Sequence, residues 1–138
     1  MKQIISIIFL LITSITFAQQ ADDLIGKYHL PNELDVQIYK FKGKYFGKII
    51  ALNNFRDGQT KDIENPDDSK HNDLLVGKII LKDLEFDNGE KQWLNGNIYS
   101  PEKGIVANFK VTEIRETEIE VVGSKYIMWF TLEWKKIN

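Results

Sequence analysis

The chain has 138 residues, 43% of them apolar, and a formal net charge of −2 at pH 7, enough to close one core and too little for two. It contains no cysteine, which excludes disulfides, thiolate nucleophiles, iron–sulfur clusters and cysteine-ligated zinc. A weakly acidic chain without a Lys/Arg run also lacks the cationic surface on which nucleic-acid binding rests.

Met1-Lys2-Gln3 is a short positive start, and Ile4 to Ile12 is apolar except for Ser6. Thr16-Phe17-Ala18 then places small residues before a cut at Gln19. This is the layout of a secretory signal peptide, with an apolar core shorter than the ~20 residues a spanning helix needs. No cysteine follows for lipid attachment. The expected organisation is a leader over 1–18 and one domain over 19–138, exported to the periplasm or the medium. No later segment is apolar enough to span a membrane.

At most a helical turn precedes Gly26. Val36–Phe41 and Tyr45–Leu52 are β-rich and are separated by Lys42-Gly43-Lys44. Asn53–Asp73 is a polar loop around Asn65-Pro66-Asp67-Asp68, of a length that is usually functional or disordered. Leu75, Gly77, Ile79 and Leu81 fall on one side of the next strand, with Lys78 and Lys82 on the other. Asn88-Gly89 predicts a type I′ turn, because both residues tolerate positive φ. Trp93, Asn95, Asn97 and Tyr99 share one face of the following strand, and Leu94, Gly96 and Ile98 the other. Pro101–Gly104 and Arg115-Glu116-Thr117 punctuate the last strands. Ile105–Thr112 and Glu118–Val121 alternate apolar and polar residues. Tyr126, Met128, Phe130, Leu132 and Trp134 make one continuous apolar face, with Trp129 on the opposite side.

Period-2 alternation dominates and no 3.6-residue stripe is visible, so the predicted class is all-β. An open meander of about eight strands would leave two edges and a bare face; closing it into a single antiparallel up-and-down barrel removes both problems.

Several short motifs recur in an ordered series: Gly26-Lys27-Tyr28, Gly43-Lys44-Tyr45-Phe46-Gly47-Lys48-Ile49, Asn65-Pro66-Asp67, Leu74-Leu75-Val76-Gly77, and Trp93 before Gly96-Asn97-Ile98-Tyr99-Ser100-Pro101. Together they resemble an uncharacterised family of exported bacterial proteins, the domain-of-unknown-function family twenty-one forty-seven, over nearly the whole mature chain. The resemblance implies a lipocalin-like (calycin-like) barrel and no established activity. Tyr28 and Ser100 stand where that family usually has Trp and Asp, and the aromatic that tends to follow the Gly104 turn is missing.

The Gly-Lys pairs at 26, 43, 47 and 77 lead into no helix, so they read as barrel corners with solvated lysines and not as phosphate cradles. Ser69, His71 and the neighbouring aspartates share one polar loop that gives a catalytic triad no rigid frame. Asp57, Asp62, Glu64, Asp67, Asp68 and Asp73 invite a calcium reading, but their spacing is not that of an EF-hand. They read as a wet loop, with no metal and no cofactor, and no catalytic residue is assigned. The face bearing Trp93, Asn97 and Tyr99 would offer amides between aromatics, the chemistry of a pocket for a small amphipathic molecule.

A dry void of ~300 Å³ would cost about 7 kcal/mol, against a domain stability of ~5–15 kcal/mol. The lumen is therefore expected to be plugged, wetted or occupied. The leading expectation is a non-catalytic binding module whose mouth accepts a small, partly apolar ligand, with Tyr28, Tyr45, Trp93, Asn97, Tyr99 and Trp129 as the ligand-binding set. The alternative is an envelope-interaction or stress-related module with a plugged barrel, working through the long loop and an outward Trp129.

Overall fold

Eight antiparallel strands follow one another around a closed barrel: β1 (Gly26–His29), β2 (Asp35–Phe41), β3 (Lys44–Ala51), β4 (Ile79–Asp87), β5 (Gln92–Ser100), β6 (Ile105–Ile114), β7 (Glu118–Lys125) and β8 (Met128–Ile137). The computed structural model describes residues 19–138; the expected leader over 1–18 lies outside the described residues. Among the described residues no helix is long and apolar enough to cross a membrane. The all-β up-and-down barrel expected from the alternation is the architecture observed.

Closure rests on a short seam. β1 meets β8 only at Lys27↔Ile137, Tyr28↔Lys136 and His29↔Lys135. Residues 128–134 of β8 therefore pair with β7 alone.

The two barrel ends differ. One carries the tight turns β2–β3, β4–β5 and β6–β7 and is closed by the segment before β1. There a 3₁₀ turn over Ala21–Leu24, the helical turn anticipated before Gly26, is held by a capping box between Gln20 and Asp23. Three large side chains reach down to it. The Trp93 indole N–H donates to the Ala21 carbonyl (2.9 Å), the Tyr28 hydroxyl to the Leu24 carbonyl (2.7 Å), and the Tyr45 hydroxyl to Asp22 Oδ1 (2.6 Å). The Gln19 side chain extends the same closure, accepting from Ile114 N–H and donating to the Lys91 and Thr112 carbonyls. With Leu24, Val36, Ile38, Leu84 and Val111 fully buried around them, this half of the lumen is solid. The other end carries the β1–β2, β5–β6 and β7–β8 turns and the long 52–78 connection, and it is open.

Several local expectations need correction. The type I′ turn falls at Lys42–Gly43, where φ is 50° and 79°, and not at Asn88–Gly89. The β4–β5 loop runs over four residues and turns on Lys91 (φ 55°), because Asp87 Oδ2 accepts from Glu90 N–H (2.7 Å) and its carbonyl from Lys91 N–H. The fourth strand starts at Ile79, and Leu75 reaches the core from a turn through Gly77 (φ 90°). Ile80 and Leu81 are both buried, because a bulge shifts the β3–β4 register between Gly47 and Lys48.

Neither proposed face of the fifth strand points inward as a whole. Asn95 takes φ 64° and the β5–β6 register shifts between Trp93 and Gly96. Trp93 therefore faces in at the closed end, while Gly96 and Ile98 face in above the kink and Asn97 faces out. Asp83 makes the matching kink in β4 (φ 62°). Leu84 then fills the space where a Gly96 side chain would be, since a Cβ there would stand 2.6 Å from Leu84 Cδ2.

Candidate functional site: the open mouth of the barrel

Above the filled half lies a cavity of about 480 Å³, open at the mouth. Its wall is largely apolar. Leu30, Ile80, Ile98, Ala107, Phe109, Phe130, Leu132 and Trp134 line it. Polar groups sit at its edge: Asn32, Ser100, Glu102, Lys103 and Lys125. The strand period produces this arrangement. Phe130, Leu132 and Trp134 share the inward parity of β8, and Ala107 and Phe109 that of β6. Trp134 is the cavity's lower boundary, packed on Phe109 (ring centroids 5.1 Å) and Tyr28 (6.5 Å). Because the cavity opens to solvent, it escapes the penalty of a sealed dry void.

The expected continuous apolar face of β8 has the predicted parity but a different cover. Trp134 is buried, whereas Met128, Phe130 and Leu132 become progressively more exposed toward the open end. β1 is too short to lie over them.

The six residues expected to bind ligand are not brought together. Tyr28, Tyr45 and Trp93 form the closed floor, and their polar atoms are satisfied by residues 21–24. Burial pushes the Tyr28 phenol up to about 12. Burial and the hydrogen bond to Asp22 raise that of Tyr45. Asn97 and Trp129 lie on the outer surface, in one cross-strand row: Asn97↔Asn108, Asn108↔Ser124, Ser124↔Trp129. Of the six, Tyr99 alone borders the mouth cavity. The residues missed are Phe109, Phe130, Leu132 and Trp134. All four lay on alternating faces legible in the sequence, but where the lumen was empty could not be read from alternation alone.

The 52–78 connection packs against this edge, and the expectation of a simply wet loop is corrected at Asp62. Phe55, Asp62 and Leu75 are buried. Asp62 accepts from the Tyr99 hydroxyl (2.6 Å) and Asn65 Nδ2 (2.8 Å), and pairs with Lys78 Nζ (3.1 Å). Burial alone would raise its pKa. The Tyr99 and Asn65 hydrogen bonds and the Lys78 ammonium outweigh that, and the carboxyl ends below the usual range. Burial and the same contact raise the Tyr99 phenol.

The other loop groups stay separate. The Ser69 hydroxyl donates to Asp67 Oδ1 (2.6 Å), and His71 Nε2 lies 2.6 Å from the Asn65 carbonyl, so Ser69 and His71 do not form a nucleophile–base pair. His29 Nδ1 lies 2.6 Å from Asp35. Among the described residues, no three His or carboxylate side chains converge as a metal site would require.

Comparison with known proteins agrees with the architecture. A family model described as "Uncharacterized protein conserved in bacteria (DUF2147)" matches residues 26–136. No curated protein matches the chain. Among solved structures, "Protein HP1028 from the human pathogen Helicobacter pylori belongs to the lipocalin family" is similar at 23% identity, covering 83% of each chain with a TM-score of 0.72. At that identity the likeness is one of fold: a lipocalin-like barrel.

Proposed function

The chain belongs to the DUF2147 family of bacterial proteins, and from that premise we propose that it is an exported, non-catalytic barrel that takes a small, partly apolar molecule into its mouth. One observation carries the reading: a cavity of about 480 Å³ walled by Ile98, Phe109, Phe130, Leu132 and Trp134 and edged by polar side chains. This lies within the ~300–1,000 Å³ of small-molecule sites, which pair apolar walls with a few polar groups. The solid floor supports a binding role over a channel, since the lumen is blocked by Trp93 and residues 21–24. An amphipathic occupant would place its apolar part against Trp134 and its polar end among Asn32, Ser100 and Lys103.

The test is native mass spectrometry of the purified protein, followed by displacement of an environment-sensitive apolar dye. A retained mass or saturable dye uptake is expected, and Leu132→Trp, which narrows the cavity, weakens it. Dye uptake unchanged by Leu132→Trp would overturn the reading. N-terminal sequencing of the protein recovered from cells tests export, with Gln19 expected as the first residue.

A further inference from the structure

One surface adjoins the mouth and shares Lys103, Ile105 and Lys125 with its rim. At the β7–β8 turn four consecutive side chains stand in solvent: Tyr126 at 91% of its full exposure, Ile127 at 92%, Met128 at 72% and Trp129 at 69%. Ile105 and Val106, at the start of neighbouring β6, continue the exposed apolar area. Turn chemistry does not ask for these residues. Tyr126 takes φ 56°, a conformation that favours Gly or Asn over a bulky side chain. Contiguous apolar surface of this kind marks an interaction site.

Its charge indicates the partner. Over residues 103–112 and 121–132 the chain carries Lys103, Lys110 and Lys125 and neither Asp nor Glu, in a protein whose net charge is −2. Glu102 lies just outside this sector. The acids of these same strands gather at the far end, where Glu113, Glu118, Glu120 and Glu133 clamp Arg115 at 2.9–3.2 Å. Two of the lysines lie beside the aromatics of the tip: Lys110 Nζ is 5.9 Å from the Trp129 ring centroid and Lys125 Nζ is 5.4 Å from that of Tyr126.

We propose that the β7–β8 hairpin tip inserts into the surface of an anionic phospholipid bilayer and holds the cavity mouth against it. Trp and Tyr settle at the headgroup level, Ile and Met reach the acyl boundary, and lysine ammoniums meet lipid phosphates. The proposal goes beyond ligand binding and does not require the cavity to be filled.

The test is co-sedimentation of the purified protein, its N-terminus read by mass, with vesicles of phosphatidylglycerol and phosphatidylethanolamine, and with vesicles of phosphatidylcholine alone. Binding is expected to the anionic vesicles, to weaken with salt, and to shift the tryptophan emission to the blue. That shift is lost in Trp129→Phe. The pair Ile127→Asp and Met128→Asp, compared in the same processed form, is expected to cut binding at least about tenfold with an unchanged circular dichroism spectrum. Leu132→Trp keeps vesicle binding while weakening dye uptake, which separates this idea from the ligand reading. No sedimentation with anionic vesicles, binding unchanged by the aspartate pair, or a vesicle-free dimer that the same pair dissolves would each overturn the proposal.

Discussion

The indole Nε1 of Trp93 donates to the Ala21 carbonyl across 2.9 Å, tying the middle of the chain to the segment that precedes its first strand. The barrel thus has a floor made from residues outside its sheet. The same floor turns Tyr28 and Tyr45 into structural side chains.

Trp93→Phe leaves the Ala21 carbonyl without its donor and opens a void beneath Phe86, whose ring is 5.0 Å from that of Trp93. The expected loss is about 2–4 kcal/mol. It should appear as a lower denaturant midpoint at unchanged m-value, with dye uptake at the mouth intact once the folded state is restored.

Asp62→Asn removes the buried charge 3.1 Å from Lys78 Nζ, leaving it the half-exposed Asp73 at 3.6 Å, and disturbs the acceptors of Tyr99 and Asn65. The expected cost is about 1–3 kcal/mol, paid locally. Hydrogen exchange should accelerate in the 52–78 connection while β5, β6 and β7 keep their protection. Uniform acceleration across the barrel would show that the connection is part of the cooperative unit.

The same groups set two limbs of pH dependence. The folded Asp62 pKa is lowered, so its contribution is present above the unfolded value of about 3.9 and is lost as the pH falls through the folded one. The connection should loosen below about pH 4. Tyr28 works in the opposite sense. Its pKa is raised to about 12, so its contribution is complete below the unfolded value of about 10 and disappears as the pH climbs from there through the folded value. Tyr45 and Tyr99 are raised as well. Absorbance of tyrosinate at alkaline pH should therefore show these three ionising late and together with unfolding, and Tyr28→Phe should soften the alkaline limb.

Two glycines predict opposite outcomes. At Gly96 a Cβ would meet Leu84 at 2.6 Å and the Phe109 carbonyl at 3.1 Å, both fixed in the core, so Gly96→Ala should cost about 1–3 kcal/mol. At Gly123 the three atoms nearest a Cβ all belong to the Phe130 ring, the closest at 2.2 Å, and that ring borders the open cavity. Gly123→Ala should swing the ring aside at little cost to stability and weaken dye uptake. Thermal melts and dye titrations of the two variants separate the cases.

The sequence made the barrel legible because one side of each strand had to be oily and the turns between strands were short. Ile105–Thr112 displayed its inward parity without interruption, and the structure keeps it. What escaped were the kinks. Asn95 and Asp83 each insert one residue in a left-handed conformation, which reverses the parity beyond them; both residue types tolerate that conformation, but so do the chain's other Asn and Asp residues, so nothing local singled these two out. The floor was hidden for another reason. Most of its contacts join residues far apart in the chain, 72 positions for Ala21 and Trp93, and no local pattern reports them. Asp62 looked like its neighbouring acids until the fold placed Tyr99, Asn65 and Lys78 around it.

The short meeting of β1 with β8 makes the circumference unequal in strength. Three residue pairs hold that join, whereas β7 and β8 share eight. When the molecule breathes, the gap between His29 and Leu132 should widen first, giving a bulky guest a sideways door that a fully laced cylinder would deny it.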